Sequence, residues 1–332
     1  MLGAGIIGLT VAEELERRGH DVRVVDPRPA GVASYAAAGM LSPAAEVWHG
    51  EEDLLRLGSA SLQLWPGLAS RLGVPLRRGG TLLVGHDAGD LQDVRRQADL
   101  LARHGYDAVE LDRAQLRDRE PGLARVAGAV HLPDEASVDP RAVCDALLER
   151  VPVHSERTGA AEVTVVATGA RLPEPWAHLV TGVRGEVLRL RSVDPPRRTV
   201  RGWVRGVPVY LVPRDDGGVV LGATSETHAG EPVVTAGGAL LLLEAGRALW
   251  PALDRAELVE GTARDRPATP DGLPLVGPAG VDGVVLAAGH YRHGVLLAPL
   301  TARLVADHLE TGATDPAVDP RRVHPTPTGA SR

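Results

Sequence analysis

The sequence predicts an α/β protein: a Rossmann-like dinucleotide-binding domain interleaved with an α+β domain built on an antiparallel sheet. Three observations carry this prediction. The chain opens on a glycine-rich turn, a helix-spaced apolar pattern and a short strand ending in an acid. A second strand–glycine–helix unit lies near its other end. Hairpin-like, antiparallel pieces stand between them. The chain has 332 residues, 44% of them hydrophobic, which suffices for two ordinary domains with a sizeable core. The expected division is discontinuous. Residues 1–48, 134–183 and 268–315 form the dinucleotide domain, residues 49–133 and 184–267 form the second, substrate-binding domain, and 316–332 form a tail.

Taken in order, Ile6, Ile7, Leu9, Val11, Ala12 and Leu15 recur at helical spacing, and Gly19-His20 ends that helix. "DVRVVD" (21–26) reads as a short buried strand. Residues 51–73, 90–104 and 141–151 read as helices, and 81–85, 128–133 and 162–170 as strands. "VPVYLVPRDDGGVVLGAT" (207–224) is a hairpin with a glycine-containing turn. Residues 236–249 form a helix. A buried strand (283–289) is followed by an amphipathic helix (293–310). From Thr311 the chain is rich in Pro, Asp, Thr and Arg and reads as a loose tail. There is no internal repeat.

A net charge of -7, spread along the chain, argues against nucleic acid as a partner. No apolar run reaches membrane-spanning length and no charged region precedes an apolar one, so a cytoplasmic protein without a membrane partner is the expectation. The single cysteine, Cys144, excludes an internal disulfide and reads as a small buried apolar residue. Every basic residue is arginine, and phenylalanine and asparagine are absent. That usage suggests a GC-rich gene, so each arginine must be justified by its neighbours.

Gly3-Ala4-Gly5-Ile6-Ile7-Gly8 is a GxGxxG opening a helix. The first glycine permits the tight turn, the second leaves room for a pyrophosphate, and the third lets helix and strand pack closely. The phosphates then meet a helix N-terminus, where free N–H groups and the dipole favour anions. Asp26, at the end of the second strand, is placed to accept hydrogen bonds from a ribose diol. The small residues of "SYAAAGML" (34–41) let backbone amides approach a ligand, although the stretch also reads as a plain helix start. Near the other end, a strand, Gly289 and a helix start aim a second positive helix end at the same ligand.

With these residues in hand, the chain resembles the FAD-dependent D-amino-acid oxidase family, and within it the glycine oxidase branch linked to thiamine biosynthesis. The resemblance rests on "GAGIIGLTVA" (3–12), "AAAGMLSP" (36–43), "SVDPRAV" (137–143), "VRGEVL" (183–188), "VYLVPR" (209–214), "GATSE" (222–226), "RPATPDGLPLVGP" (266–278) and "GHYRHGVLLAP" (289–299), in the family's order. It implies FAD as cofactor, held by Gly3, Gly5, Ile6, Ile7 and Gly8, with Asp26 and Pro27 at the adenosine ribose. Backbone at Ser34, Ala38, Gly39 and Met40 would contact it, Ala167, Thr168 and Gly169 would pass its phosphates, and His290, Tyr291, Arg292, His293, Gly294, Val295 and Leu296 would wrap the isoalloxazine.

The resemblance also implies a substrate site. Arg266 and Tyr210 would hold an amino acid's carboxylate, since a planar guanidinium fork matches two carboxylate oxygens, and Arg292 would lie near substrate and flavin. The implied reaction oxidises glycine or a small amino acid to the imine and glyoxylate, with O2 reduced to hydrogen peroxide. The imine is the form a downstream thiazole synthase would consume, and a homo-oligomer is expected. No catalytic base is nominated, because the cofactor carries the hard step. His290 and His293, at i and i+3, have no third ligand nearby in sequence, so no metal is expected. Two alternatives stay open: an oxidase or dehydrogenase of sarcosine, proline or a D-amino acid, and a weakly active, non-catalytic FAD-binding paralogue.

Three features depart from the family pattern. Met1-Leu2 is too short for the buried strand that should precede the turn, which takes about five residues, so a few further apolar residues are expected upstream of the stated start. The segment 147–170 is short where relatives have a β-meander over the cofactor. Thr262-Ala263-Arg264-Asp265 places extra charge beside Arg266.

Overall fold

The computed structural model describes residues 1–28, 33–157, 159–227 and 230–323. Strand Val24–Val25 pairs in parallel with Val153–His154. Strand Val284–Ala288 pairs in parallel with Thr164–Val166 and antiparallel with Leu275–Pro278. Leu2 joins these halves, bridging Val25 on one side and Val166 on the other, both in parallel. Its N–H donates to the Val165 carbonyl at 2.8 Å and its carbonyl accepts from Ala167 N–H at 2.8 Å. On the other edge Gly3 N–H donates to the Val25 carbonyl and Val25 N–H to the Met1 carbonyl, each at 2.9 Å. Met1 and Leu2 thus occupy the central position between the two halves, with hydrogen bonds on both edges.

The inner strands are covered on both faces, which is why Val165, Val166, Val285, Leu286, Ala287 and Ala288 are all apolar and buried. Helix Ile6–Arg17 packs along helix Gly294–Thr311, which also receives helix Glu52–Leu72, and helix Pro140–Leu148 packs on the first. Leu9, Val24, Trp65, Val143 and Leu147 fill one core, and Val11, Val165, Val285, Leu300 and Val305 the next. Cys144 is buried in the first, and burial pushes its thiol up to about 12, in keeping with an inert apolar role. Beyond Thr311 the chain is not loose over its described part. Val318 is buried in the second core and its carbonyl accepts from Val276 N–H at 2.8 Å.

The second sheet has eight strands in the order Glu257–Ala268, Thr181–Arg191, Gly218–Gly222, Val207–Pro213, Thr199–Val204, Thr81–Gly85, Gly128–Leu132 and Val109–Leu111. All neighbours are antiparallel except Thr199–Val204 and Thr81–Gly85. The hairpin 207–224 and the helix Ala236–Leu249, which packs on this sheet, match the sequence reading. The strands Thr181–Arg191, Thr199–Val204 and Glu257–Ala268 were not legible. They carry charges at buried positions whose partners are remote in sequence. Arg184, 2% exposed, bonds Asp265 and the carbonyls of Gly230 and Glu231, and buried Glu186 accepts from Thr235 Oγ1 at 2.9 Å. A small antiparallel sheet of Met40–Leu41, Ala136–Val138 and Leu76–Arg77 completes the framework. Among the described residues no helix is long and apolar enough to cross a membrane.

Candidate active site

A cavity of about 950 Å³ opens between the glycine-rich turn and the large sheet. At the turn, Gly3 has φ +98, and a Cβ there would sit 2.3 Å from the Ala167 carbonyl oxygen. A Cβ on Gly8 would sit 2.0 Å from the Gly3 carbonyl oxygen, so the third glycine sets helix against strand. Gly5 differs. Its Cβ would meet only Ser34 Oγ, at 3.4 Å, and Gly5 lines the cavity. Asp26 accepts from Ala4 N–H and Arg28 N–H, at 2.8 Å each, which ties the turn to the strand end and leaves carboxylate lone pairs for a ligand. Ser34 Oγ accepts from Ile6 N–H at 3.0 Å. Thr168 Oγ1, in the adjoining wall, is buried with no hydrogen-bond partner among the described residues. A glycine facing open space at a helix start, an acid at the strand end and an orphaned hydroxyl together fit a bound dinucleotide.

The segment 36–40 forms another wall. Arg141 Nε and Arg189 Nη2 each donate to the Tyr35 carbonyl at 2.9 Å, and Arg214 Nη2 donates to the Ala38 carbonyl at 2.7 Å. With Val138 N–H on the Gly39 carbonyl at 2.9 Å, these bonds fix the segment's backbone through its carbonyls.

The start of helix Gly294–Thr311 forms the third wall, through His290, Tyr291, Arg292, Gly294 and Val295. Pro299 interrupts that helix's ladder, and Ser61 and Trp65 repair it. Ser61 Oγ donates to the Leu296 carbonyl at 2.6 Å and accepts from Leu300 N–H at 3.3 Å, while Trp65 Nε1 donates to the same carbonyl at 3.0 Å. The first turn is thereby held with its N-terminal end on the cavity. His290 is buried, its Nε2 2.8 Å from Thr301 Oγ1, and burial lowers it to about 3. It is a neutral packing residue at ordinary pH.

The large sheet supplies Gly185, Arg201, Tyr210 and Arg266. Arg266 Nη1 donates to the Thr224 carbonyl at 3.1 Å, while its Nε and Nη2 donate to nothing among the described residues. Gly185 lies flush against the guanidinium, and a Cβ there would be 2.2 Å from Nη2. Tyr210 lies over Gly222, and burial raises its hydroxyl pKa, so it stays a neutral donor. Arg292 stacks over its neighbour Tyr291, guanidinium carbon 5.2 Å from the ring centroid, and reaches Glu51 at 3.5 Å. Asp265 is not a loose charge beside Arg266, because it pairs with buried Arg184 at 2.5 Å.

The structure thus brings to one cavity Gly3, Gly5, Ile6, Ile7, Asp26, Pro27, Ser34, Ala38, Gly39, Met40, Ala167, Thr168 and Gly169 with Tyr210, Arg266 and Arg292. Gly8, His293 and Leu296 are not among its walls. Gly8 packs on Gly3, and Leu296 serves through its carbonyl. His293 lies buried with Nδ1 3.7 Å from Glu46 Oε2, and burial lowers it to about 4. Sequence reasoning missed Glu46 and Arg201, both buried cavity residues. A lone Glu after "LSPAA" and one arginine among many carry no local signal.

The family model described as FAD dependent oxidoreductase matches residues 2–308. The chain is 33% identical over 349 residues to the bifunctional protein ThiO/ThiG of Trichormus variabilis, covering 95% of this chain and 53% of that one, so it spans about half the length of that relative. It is 32% identical over 358 residues to the glycine oxidase of Geobacillus kaustophilus (95% and 93% covered). It is 37% identical over 336 residues to a putative thiamine biosynthesis oxidoreductase ThiO of Rhizobium etli (95% and 97% covered). The crystal structure of the Geobacillus kaustophilus glycine oxidase superposes with a TM-score of 0.84 at 29% identity, covering 100% of this chain and 98% of that one. With the match running through both helix ends that open on the cavity, the chain belongs to the FAD-dependent oxidoreductase family.

Proposed function

We propose that this protein oxidatively deaminates glycine or a similarly small amino acid, giving the imine and then glyoxylate, with O2 reduced to hydrogen peroxide. One observation carries the reading: the cavity that begins at the glycine turn ends at a half-free arginine fork beside a neutral tyrosine, Arg266 with Tyr210. Relatives named glycine oxidase support the substrate, and relatives that carry ThiO and ThiG in one chain support a place upstream of thiazole formation.

FAD, when bound, supplies the two-electron acceptor for the substrate's Cα–H bond. Gly3 to Gly8, Asp26, Ser34, the 36–40 segment and the Ala167–Gly169 wall are the residues that would hold it, with Tyr291 to Val295 at the other end. Arg266 binds the substrate carboxylate through the donors that the Thr224 carbonyl leaves free, and Tyr210 adds a hydroxyl donor. Fixing the carboxylate orients the Cα and removes rotational freedom before reaction. No side chain is required as catalytic base. The N-terminal end of helix Gly294–Thr311 favours negative charge developing beside it.

The test is turnover of the FAD-loaded protein against glycine, sarcosine, proline and D-alanine, following oxygen uptake, peroxide and the keto product. Glycine is expected to have the highest kcat/KM. A protein that takes sarcosine or proline at least tenfold better is a different amine oxidase on the same fold.

A further inference from the structure

The cavity wall contains one acid that neither the turn nor the carboxylate site uses. Glu46 is 6% exposed and lines the cavity with Arg201, Arg266 and Arg292. Asp26 accepts from two backbone N–H groups, and Asp265 is paired with Arg184. Glu46 is held more loosely. Arg201 Nη1 lies 3.4 Å from its Oε1 and His293 Nδ1 lies 3.7 Å from its Oε2, and among the described residues its carboxylate accepts no hydrogen bond. Arg201 instead spends its well-formed hydrogen bond on the Ala45 carbonyl at 2.9 Å. Burial would raise the Glu46 carboxyl, but Arg201, then His293, Arg292 and Arg266, outweigh it and hold the group below the usual carboxylate range. A buried, ionised carboxylate with unfilled acceptor capacity is costly unless something in the cavity donates to it.

Arg201, Arg266 and Arg292, three of the arginines lining the cavity, would by themselves accept any carboxylate, including hydroxy acids and dicarboxylates. An acid among them changes which ligand fits. We propose that Glu46 is the amine-recognition residue of the site: its carboxylate receives the substrate's positively charged nitrogen while Arg266 and Tyr210 take the carboxylate. The ligand class is therefore the zwitterion of a small α-amino acid. A hydroxy acid lacks the cation that Glu46 needs, and a second carboxylate meets its negative charge. The inference rests on the amino-acid reading above, deepening it from a carboxylate site to a two-point charge readout. Glu46 acts by recognition. It transfers no proton, because a carboxylate held that acidic is a poor base.

The experiment compares FAD-loaded wild type with Glu46→Gln and Glu46→Asp. Glycolate affinity is read from perturbation of the visible flavin spectrum, and glycine affinity from half-saturation of anaerobic flavin reduction. The prediction is that Glu46→Gln lowers the glycine-to-glycolate affinity ratio at least tenfold and that Glu46→Asp, which keeps the charge, recovers part of it. If both ligands weaken together, Glu46 is only the structural partner of Arg201. If neither changes, it faces no ligand. Either result overturns the proposal. Should Glu46→Gln fail to hold FAD, the ratio in Glu46→Asp decides, with a fall of under twofold counting against the role. Wild type that glycine does not reduce refutes the glycine reading instead, and the same ratio is then taken with the amino acid that does reduce it and its hydroxy analogue.

Discussion

Arg266 and Gly185 act as one unit. The guanidinium lies in the space that a side chain at 185 would fill, 2.2 Å from a Cβ built there. Arg266→Ala is expected to raise the glycine KM at least tenfold with FAD retained, because it removes the fork without touching the cofactor walls; unchanged kinetics would remove Arg266 from the site. Gly185→Ala should produce the same sign of effect without deleting the arginine. The guanidinium is the far end of a flexible side chain and can yield, so the melting temperature should hold while KM rises. A Gly185→Ala protein that loses stability and keeps its KM would mean that the fork does not move. At this scale the sequence was informative only where a residue sits in a local motif. Arg266 precedes "PATPDG" and Asp26 ends a strand, and both were legible. Arg201 and Ala45, whose hydrogen bond places Glu46, are 156 positions apart, and no spacing rule connects them.

At the scale of elements, the glycine turn makes two separable demands. Gly8 faces protein and Gly5 faces the cavity. Gly8→Ala pushes a methyl to 2.0 Å from the backbone carbonyl of Gly3, whose N–H is tied to Val25 in the sheet. It should destabilise the folded protein by about 1–3 kcal/mol, the usual cost of overpacking. Gly5→Ala meets only Ser34 Oγ, at 3.4 Å, so the FAD-free protein should melt close to wild type while FAD affinity falls. Thermal melts with and without FAD check both. Equal losses in the two variants would contradict the division of labour. The turn, the helices and the hairpin 207–224 were readable because their signals are local. The strands Thr181–Arg191 and Glu257–Ala268 were not, since Arg184, Glu186 and Asp265 break the apolar alternation and are satisfied only across the sheet. The central strand was readable as a need. What the chain does with Met1 and Leu2 emerged only from the ladder on both of their edges.

Across the whole molecule, three buried groups with large shifts bear on stability between pH 7 and 4. His290 and His293 are lowered by burial to about 3 and about 4 from an ordinary 6.5. The unfolded chain takes up those protons first, so the stability of two neutral rings is full above 6.5 and drains as pH falls. Burial raises Glu135 to about 7 from 4.5, so its contribution runs the other way, present below 4.5 and lost as pH rises through 7. Between pH 6.5 and 4.5 the two histidines together outweigh Glu135, so these three groups lose stability on acidification. The melting temperature should fall over that window and fall less in His290→Gln, which removes one of the two opposing histidines. A wild-type curve that is flat or rises on acidification would contradict the assignment. The fold class itself was legible because its signals sit at the two ends of the chain, and both ends meet at one cavity. The central claim is that two helix N-termini, at Gly5 and at Gly294, hold one flavin dinucleotide beside an amino-acid site. Its most direct test is to add FAD to the purified protein and then glycine without oxygen. A stoichiometric yellow complex is expected, its visible flavin band bleaching with glycine. A protein that takes up no FAD would contradict it at the root.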